Sequence, residues 1–301
     1  MSRTVVEIAG RRLSLSNLEK VLYPSCGFSK SHVLEYYRRI APVLLPHLKG
    51  RALTLKRYPE GVEGEFFFEK RCPSHRPAWA PTAQLLQKDG ERMTACLVND
   101  PETLLWVANL AALELHVPLA RAGSPETPDA VVFDLDPGDR ADVLDCARVA
   151  LILRDVLSRL RLESYVKTSG QKGLHVYVPL NRPATTFEDT KTFSKAVALI
   201  FQRTYPELVT AKMAKSERTG RVFINWSQND GSKTMICVYS LRAREEPFVS
   251  FPLAWSELER RAGEGDPKRL HVSHSEALSR AGEAGDLFRE VLSKKQELPN
   301  L

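Results

Sequence analysis

The sequence predicts an α+β chain in which mixed or antiparallel central sheets are flanked by helices. Apolar stretches of period two and of period 3.6 recur together, without the strict strand–helix–strand alternation of a doubly wound sheet. Two pairs of strand-like runs are separated by short polar turns that contain glycine, Ser169-Gly-Gln-Lys-Gly173 and Asn229-Asp-Gly-Ser232, which favours antiparallel neighbours. The length, 301 residues and 33.8 kDa, exceeds one typical domain and falls short of three. With 43% apolar and 27% charged residues the chain can bury a core.

The first elements follow from local signals. Val5, Glu7, Leu13 and Leu15 alternate as a strand or hairpin, and Ser16-Asn-Leu-Glu19 has the pattern of a helix capping box. Ser29 or Ser31 opens a helix whose apolar positions, Val33, Leu34, Tyr36, Tyr37, Ile40, Val43 and Leu44, share one face. Ala52 to Tyr58 alternates as a strand that puts Thr54 and Lys56 on the same side. Glu65 to Glu69 is a further strand, in which the alternation of Phe66, Phe67 and Phe68 sends at least one ring into the core. Asp100, followed by Pro101, caps a helix expected to run to His116.

The second half reads in the same way. Ala130 to Asp136 is an apolar strand that ends at Pro137-Gly138, Asp142 to Arg161 an amphipathic helix, and Tyr165–Thr168 and Leu174–Leu180 two strands. Thr186 to Tyr205 forms another helix, and Arg221–Trp226 and Thr234–Tyr239 pair as antiparallel strands. Beyond about residue 256 the chain is polar and charged, with no recognisable chemistry.

Composition excludes several classes. No apolar run approaches the roughly 20 residues that span a bilayer. The first sixteen residues hold no apolar signal segment, so a cytoplasmic location is expected. Five scattered cysteines, none spaced Cys-x-x-Cys, argue against a disulfide framework or a four-cysteine zinc site. Net charge is +6, and its distribution is more informative than the total. Residues 1–71 hold thirteen Lys/Arg against seven Glu, and residues 212–244 hold seven against two acids. Such clusters suit phosphate binding or are merely solvated faces.

Two motifs carry chemistry. Asp134 and Asp136, two apart on a strand, point to one side, and paired carboxylates that close repel unless a cation lies between them. Oxygen ligands of this kind suit Mg²⁺ or Mn²⁺ together with substrate phosphates. The turn from Ser169 to Gly173, followed by His175, offers glycines for close backbone approach to phosphate and Lys172 for charge. It lacks the Walker A spacing and leads into a strand.

In order along the chain stand Leu18-Glu-Lys-Val-Leu-Tyr-Pro24, Lys56-Arg57, Phe67-Phe-Glu-Lys70, Glu114-Leu-His-Val-Pro118, Val132-Phe-Asp-Leu-Asp-Pro-Gly138, Thr168 to His175, Phe223-Ile-Asn-Trp-Ser-Gln-Asn229 and Tyr239-Ser-Leu-Arg242. Over roughly residues 10–290 the sequence resembles the polymerase domain of bacterial ligase D, the primase-like polymerase of non-homologous end joining. The resemblance implies a primase-like polymerase fold with three regions. These are an N-terminal DNA-end-binding lobe (about 1–120), a catalytic metal and nucleotide core (about 121–256) and a polar helical segment (about 257–301).

It further implies two metal ions, Mn²⁺ or Mg²⁺, on Asp134, Asp136 and position 225, and a triphosphate on Ser169, Lys172 and His175, helped by Lys56, Arg242 and Gln228. Phe68 or Phe67 would stack on a base, and His116 would meet the sugar and favour ribose. Asn17, Lys20 and Lys30 would bind the 5′-phosphate of a downstream strand. The segment from Met213 to Gly220 matches a mobile loop, with Lys215, Arg218 and neighbouring Arg221 as primer contacts. One departure stands out: the family's third metal-binding aspartate falls on Asn225. The function implied is template-directed addition of nucleotides to 3′ ends and gaps in DNA, ribonucleotides preferred, with a Ku-like end-binding protein and a DNA ligase as partners. The alternatives are a catalytically weak end-bridging module and a primase.

Overall fold

Two six-stranded sheets organise the chain, one in each of two units. The computed structural model describes residues 3–8, 10–87 and 89–299. The first unit gathers the chain up to Pro118 with the later segments Ile236–Val249 and Ser273–Gly285. It opens with the hairpin β1 (Arg3–Ile8) and β2 (Arg11–Ser16), followed by β3 (Val21–Tyr23), β4 (Phe28–Ser29) and α1 (Lys30–Leu48). Next come β5 (Ala52–Arg57), β6 (Phe67–Glu69), β7 (Thr82–Leu86), β8 (Arg92–Leu97), α2 (Pro101–Asn109) and β9 (Ala112–Val117). The sheet order is β17-β9-β5-β8-β7, where β17 is Met235–Ile236, and β6 pairs with the outer part of β5.

Ser29 caps α1 as expected, with His32 closing the capping box, and the anticipated apolar face is buried. Tyrosines of this unit tie in the segment that returns late in the chain: Tyr36 Oη donates to the Tyr239 carbonyl (2.8 Å) and Tyr23 Oη to that of Arg242 (3.1 Å). Helix α6 (His274–Ala284) packs against α1.

Local readings fail in four places here. Ser16–Glu19 opens no helix, because β2 runs to Ser16 and Asn17 turns the chain in the left-handed region (φ 54°) towards β3. The helix capped by Asp100, which accepts from the Thr103 N–H at 2.8 Å, ends at Asn109, and Ala111 (φ 58°) redirects the chain into β9. His116 therefore stands on a strand, not at a helix end. The apolar run from Thr103 to Leu113 joins the end of one element to the start of the next and hides the break. All three rings at 66–68 are exposed, because β6 is a three-residue edge whose aromatics lie against cationic stems instead of a core. Cys72 and Cys96 form a disulfide, against the expectation from spacing; they lie 24 residues apart and meet only because the segment after β6 runs beside β8.

The second unit comprises Leu119–Met235, Ser250–Val272 and the chain from Asp286. After the short β10 (Ala120–Arg121) and β11 (Ser124–Pro128), its sheet is built from β12 (Ala130–Pro137), β13 (Tyr165–Thr168), β14 (Leu174–Pro179), β15 (Val209–Thr210), β16 (Val222–Asn225) and β18 (Pro252–Leu253). The order is β15-β16-β12-β14-β13-β18, antiparallel except for β15 beside β16. Helices α3 (Val143–Arg159) and α4 (Phe187–Thr204) pack on this sheet, each opened by a capping box, at Asp142 and at Thr186. Helix α5 (Trp255–Gly263) packs on α3. The strands expected to pair around Asn229–Ser232 do not: β16 lies between β15 and β12, and β17 joins the other sheet. Buried Asn229 prevents that hairpin, since its side chain exchanges hydrogen bonds with both the N–H and the C=O of Val132 (2.8 Å each) and pins the turn to β12.

Candidate active site

In the second unit β12 lies between β16 and β14, with Asp134 opposite Asn225 on one side and His175 on the other. His175 in turn is opposite Lys167 on β13. Directly opposed residues share a sheet face, so Asn225, Asp134, His175 and Lys167 form one row across four strands, and Asp136 joins them two residues along β12. Asp134 Oδ1 lies 3.3 Å from His175 Nε2. Its Oδ2 accepts from Asn225 Nδ2 (3.0 Å) and from Gln228 Nε2 (3.3 Å), the latter on the turn pinned by Asn229. Burial pulls the Asp134 carboxyl upward, but hydrogen bonds from His175, Gln228 and Asn225 prevail and hold it below the ordinary range. Asp136 has no such support. Burial and the adjacent Asp134 charge push it up to about 7, opposed by Arg218.

A divalent cation fits this donor set at Asp134 and Asp136, two hard oxygen ligands whose mutual repulsion it would relieve. Among the described residues no three His, Cys, Asp or Glu side chains converge as a metal site, and the side chain opposite Asp134 on β16 is the amide of Asn225. Asn225 turns its N–H towards Asp134, while its Oδ1 accepts from Ser227 Oγ (2.8 Å), which accepts from Lys233 Nζ (2.7 Å).

The turn after β13 is organised by Ser169, whose Oγ accepts the N–H groups of Gln171 and Gly173 (3.1 Å each). Gly173 is required for a reason other than phosphate approach: a Cβ there would lie 2.0 Å from the Leu135 carbonyl oxygen. Lys172 is exposed at the tip. The segment carrying Lys215, Arg218 and Arg221 is seated on the turn after β12. Gly138 donates to the Arg221 carbonyl (2.9 Å), Gly220 to that of Asp139 (2.6 Å), and a Cβ on Gly138 would meet the Arg218 carbonyl oxygen at 1.9 Å. The Arg218 guanidinium lies 3.8 Å from the centroid of Phe223.

In the first unit one face of β6, β5 and β9 carries Phe68, Lys56 and Glu114 in register, with Thr54 opposite His116. Lys56 Nζ stands over Phe66 (4.1 Å), Tyr58 (5.2 Å) and Phe68 (5.5 Å), and Phe68 meets His116 edge-on at 5.8 Å. Phe67 instead stacks with Arg57 (5.1 Å). Fully buried Glu114 joins Lys56, His116 and Arg242. The reading of single residues gave it no role; its place opposite Lys56 and two residues before His116 was the available signal.

A separate cluster forms where the β2–β3 turn meets the start of α1. The Lys30 N–H donates to the Lys20 carbonyl (2.8 Å), which brings Asn17, Lys20 and Lys30 together. Lys20 Nζ pairs with Glu60 (2.8 Å), and buried Lys30 Nζ donates to the Ser16 carbonyl (2.6 Å). Burial, then the charges of Lys20 and Arg57, lowers Lys30 to about 8.

Paired strand carboxylates beside a histidine that follows a glycine-rich turn, within mostly antiparallel sheets, define a primase-like nucleotidyltransferase fold. Residues 29–288 match the family described as LigD, primase-polymerase domain. The chain belongs to that family. The multifunctional non-homologous end joining protein LigD of Mycolicibacterium smegmatis is 42% identical over 279 residues, 92% of this chain and 36% of that protein. The bifunctional LigD of Bacillus subtilis is 34% identical over 248 residues, 82% of this chain and 40% of that protein. The polymerase domain from Mycobacterium tuberculosis ligase D, solved in complex with DNA, superposes with a TM-score of 0.86 at 40% identity, covering 95% of this chain and 99% of that one. The chain thus spans little more than a third of the length of the first of these relatives.

Proposed function

We propose that the chain adds nucleotides to 3′-hydroxyls at DNA ends and short gaps under template direction, preferring ribonucleotides, as the polymerase of a non-homologous end-joining system. The observation that carries this is the row on β16, β12 and β14, where Asp134 and Asp136 share a face with His175 and the turn of Ser169 and Lys172 adjoins it. Divalent ions, Mn²⁺ or Mg²⁺, bound there would lower the pKa of the primer hydroxyl and stabilise the departing pyrophosphate. Asp134 and Asp136 bind, Gln228 and His175 orient Asp134, and the hydroxyl of Ser169 and the charge of Lys172 receive phosphate oxygens. Lys56 and Arg242 supply positive charge, Phe67 or Phe68 a stacking surface, and His116 a contact for ribose. Asn17, Lys20 and Lys30 take the 5′-phosphate across a gap, and Lys215, Arg218 and Arg221 meet the primer. Double-stranded ends, nucleoside triphosphates, a Ku-like protein and a DNA ligase are the partners, in the bacterial cytoplasm at the nucleoid.

The amide of Asn225, bonded to Asp134 where a third carboxylate belongs, supports a second reading, a weakly active module that holds ends together. Primer extension on a gapped, 5′-phosphorylated duplex, with each metal and with ribo- and deoxynucleotides, separates the two. Template-dependent ribonucleotide addition supports the polymerase. Binding without addition, even at high Mn²⁺, supports the bridging module.

A further inference from the structure

Glu114 receives only donors. Its Oε2 lies 2.9 Å from His116 Nε2 and 3.7 Å from Lys56 Nζ. Its Oε1 accepts the Ala243 N–H (3.1 Å) and lies 3.5 Å from Arg242 Nε. An ionised carboxylate is the one side chain of this size that accepts at both ends and donates nowhere. Burial acts against that charge, but His116, Arg242 and Lys56 overcome it and hold Glu114 down to about 2. Because Glu114 can only accept, the proton of the shared hydrogen bond belongs to His116 Nε2. Burial depresses the imidazole below its ordinary value, with Arg242 and Lys56 acting in the same direction and Glu114 opposing. Neutral His116 therefore has an unprotonated Nδ1, for which no hydrogen-bond partner exists among the described residues.

We propose that Glu114 is a positioning residue that holds His116 in its Nε2–H tautomer, so that Nδ1 accepts a hydrogen bond from the 2′-hydroxyl of an incoming ribonucleotide. This rests on the reading above, in which His116 meets the sugar, and supplies the physical reason for a ribose preference. A 2′-hydroxyl donates to Nδ1, and a deoxynucleotide leaves that acceptor unpaired. The other tautomer would set the bare Nε2 against the Glu114 carboxylate, two acceptors facing each other, and would leave Nδ1 without a lone pair to receive the hydroxyl proton. Glu114 simultaneously fixes Lys56, and hence the cation under Phe66 and Phe68, so one buried charge sets both the sugar contact and its aromatic wall.

The test pairs a spectroscopic with a binding readout. ¹⁵N NMR of the unmodified chain should show His116 protonated at Nε2 and bare at Nδ1; protonation at Nδ1 overturns the proposal whatever any variant does. Competition between ATP and dATP in the presence of Mn²⁺ should favour ATP by about 2- to 10-fold, the range of one neutral hydrogen bond. Glu114→Met, with folding checked by thermal melting, should bring the ratio close to one and abolish the Nε2–H preference. In a His116→Ala background the same change should leave the ratio unaltered. A ratio that Glu114→Met leaves intact, or one that it lowers equally without His116, overturns the positioning role. If the unmodified chain holds the expected tautomer yet binds ATP and dATP equally, the sugar reading fails, and the tautomer result stands apart from it.

Discussion

At position 225 an amide N–H points at Asp134 Oδ2 from 3.0 Å, in the place where a carboxylate would add a third negative charge. The face keeps two acids, so nucleotide binding with its cation should persist while activation of the primer hydroxyl suffers. Loss of one such electrostatic contact costs about 2.7–4 kcal/mol, or roughly 10²–10³ in rate. Asn225→Asp is therefore expected to raise single-turnover insertion at saturating nucleotide by that factor, and equal rates would remove position 225 from the site. Asp136 gives a second expectation. Its carboxyl titrates near 7 in the fold and in the ordinary carboxylate range when unfolded, so the folded chain holds the proton over that window. Metal-free stability should then fall as pH rises from about 4 to 7 and stay low above it. Asp136→Asn should raise the melting temperature at pH 8, by about 1–3 kcal/mol of stability, with little effect at pH 4. Mn²⁺ should protect the unmodified chain more than the variant. That Asp134 and Asp136 share one face of a strand was legible from period-two spacing. What surrounds them was not: Lys167, His175 and Asn225 come to Asp134 only through cross-strand pairing, which no local spacing encodes.

Three helix starts were read correctly, whereas the capping-box pattern at Ser16–Glu19 opens none because β2 runs to Ser16. Asp100-Pro101, Asp142 and Thr186 each open a helix because their side chains satisfy N–H groups that the helix leaves unpaired. Failures came where one apolar run served two elements, as from α2 into β9, or where a polar turn was pinned by a buried side chain, as by Asn229. The junction of β2, β3 and α1 supports a prediction at this scale. Lys30 is placed by the first turn of α1 and titrates near 8, so its charge fades as pH rises through that value. Preference for a 5′-phosphorylated gap over an unphosphorylated one should be strong near pH 7 and shrink by about pH 9. Kd values for both duplexes across this range decide it, and a preference flat with pH would place the phosphate elsewhere.

Over the whole molecule, the basic excess lies in residues 1–71 and 212–244. DNA affinity should fall by about 0.9 log units per contacted phosphate for each log unit of salt, and Lys20→Ala should lower that slope by about one contact. Fluorescence anisotropy over a salt series measures both, and an unchanged slope would free Lys20 of phosphate. Composition could give the balance of charge but not that segments 236–249 and 273–285 return to the first unit, where tyrosine hydroxyls meet carbonyls of the former some two hundred residues away and α6 of the latter packs against α1. The row across β16, β12, β14 and β13 has a consequence for how such a chain can change. Each strand contributes by alternation, so one residue inserted within Val222–Asn225 or Leu174–Pro179 would turn its contribution to the far side of the sheet. Insertions are therefore expected to be tolerated in the connections, and the strands to accept only exchange of one side chain for another. Asn225→Asp would be an exchange of that kind: it would alter the chemistry beside Asp134 and leave the frame of paired strands in place.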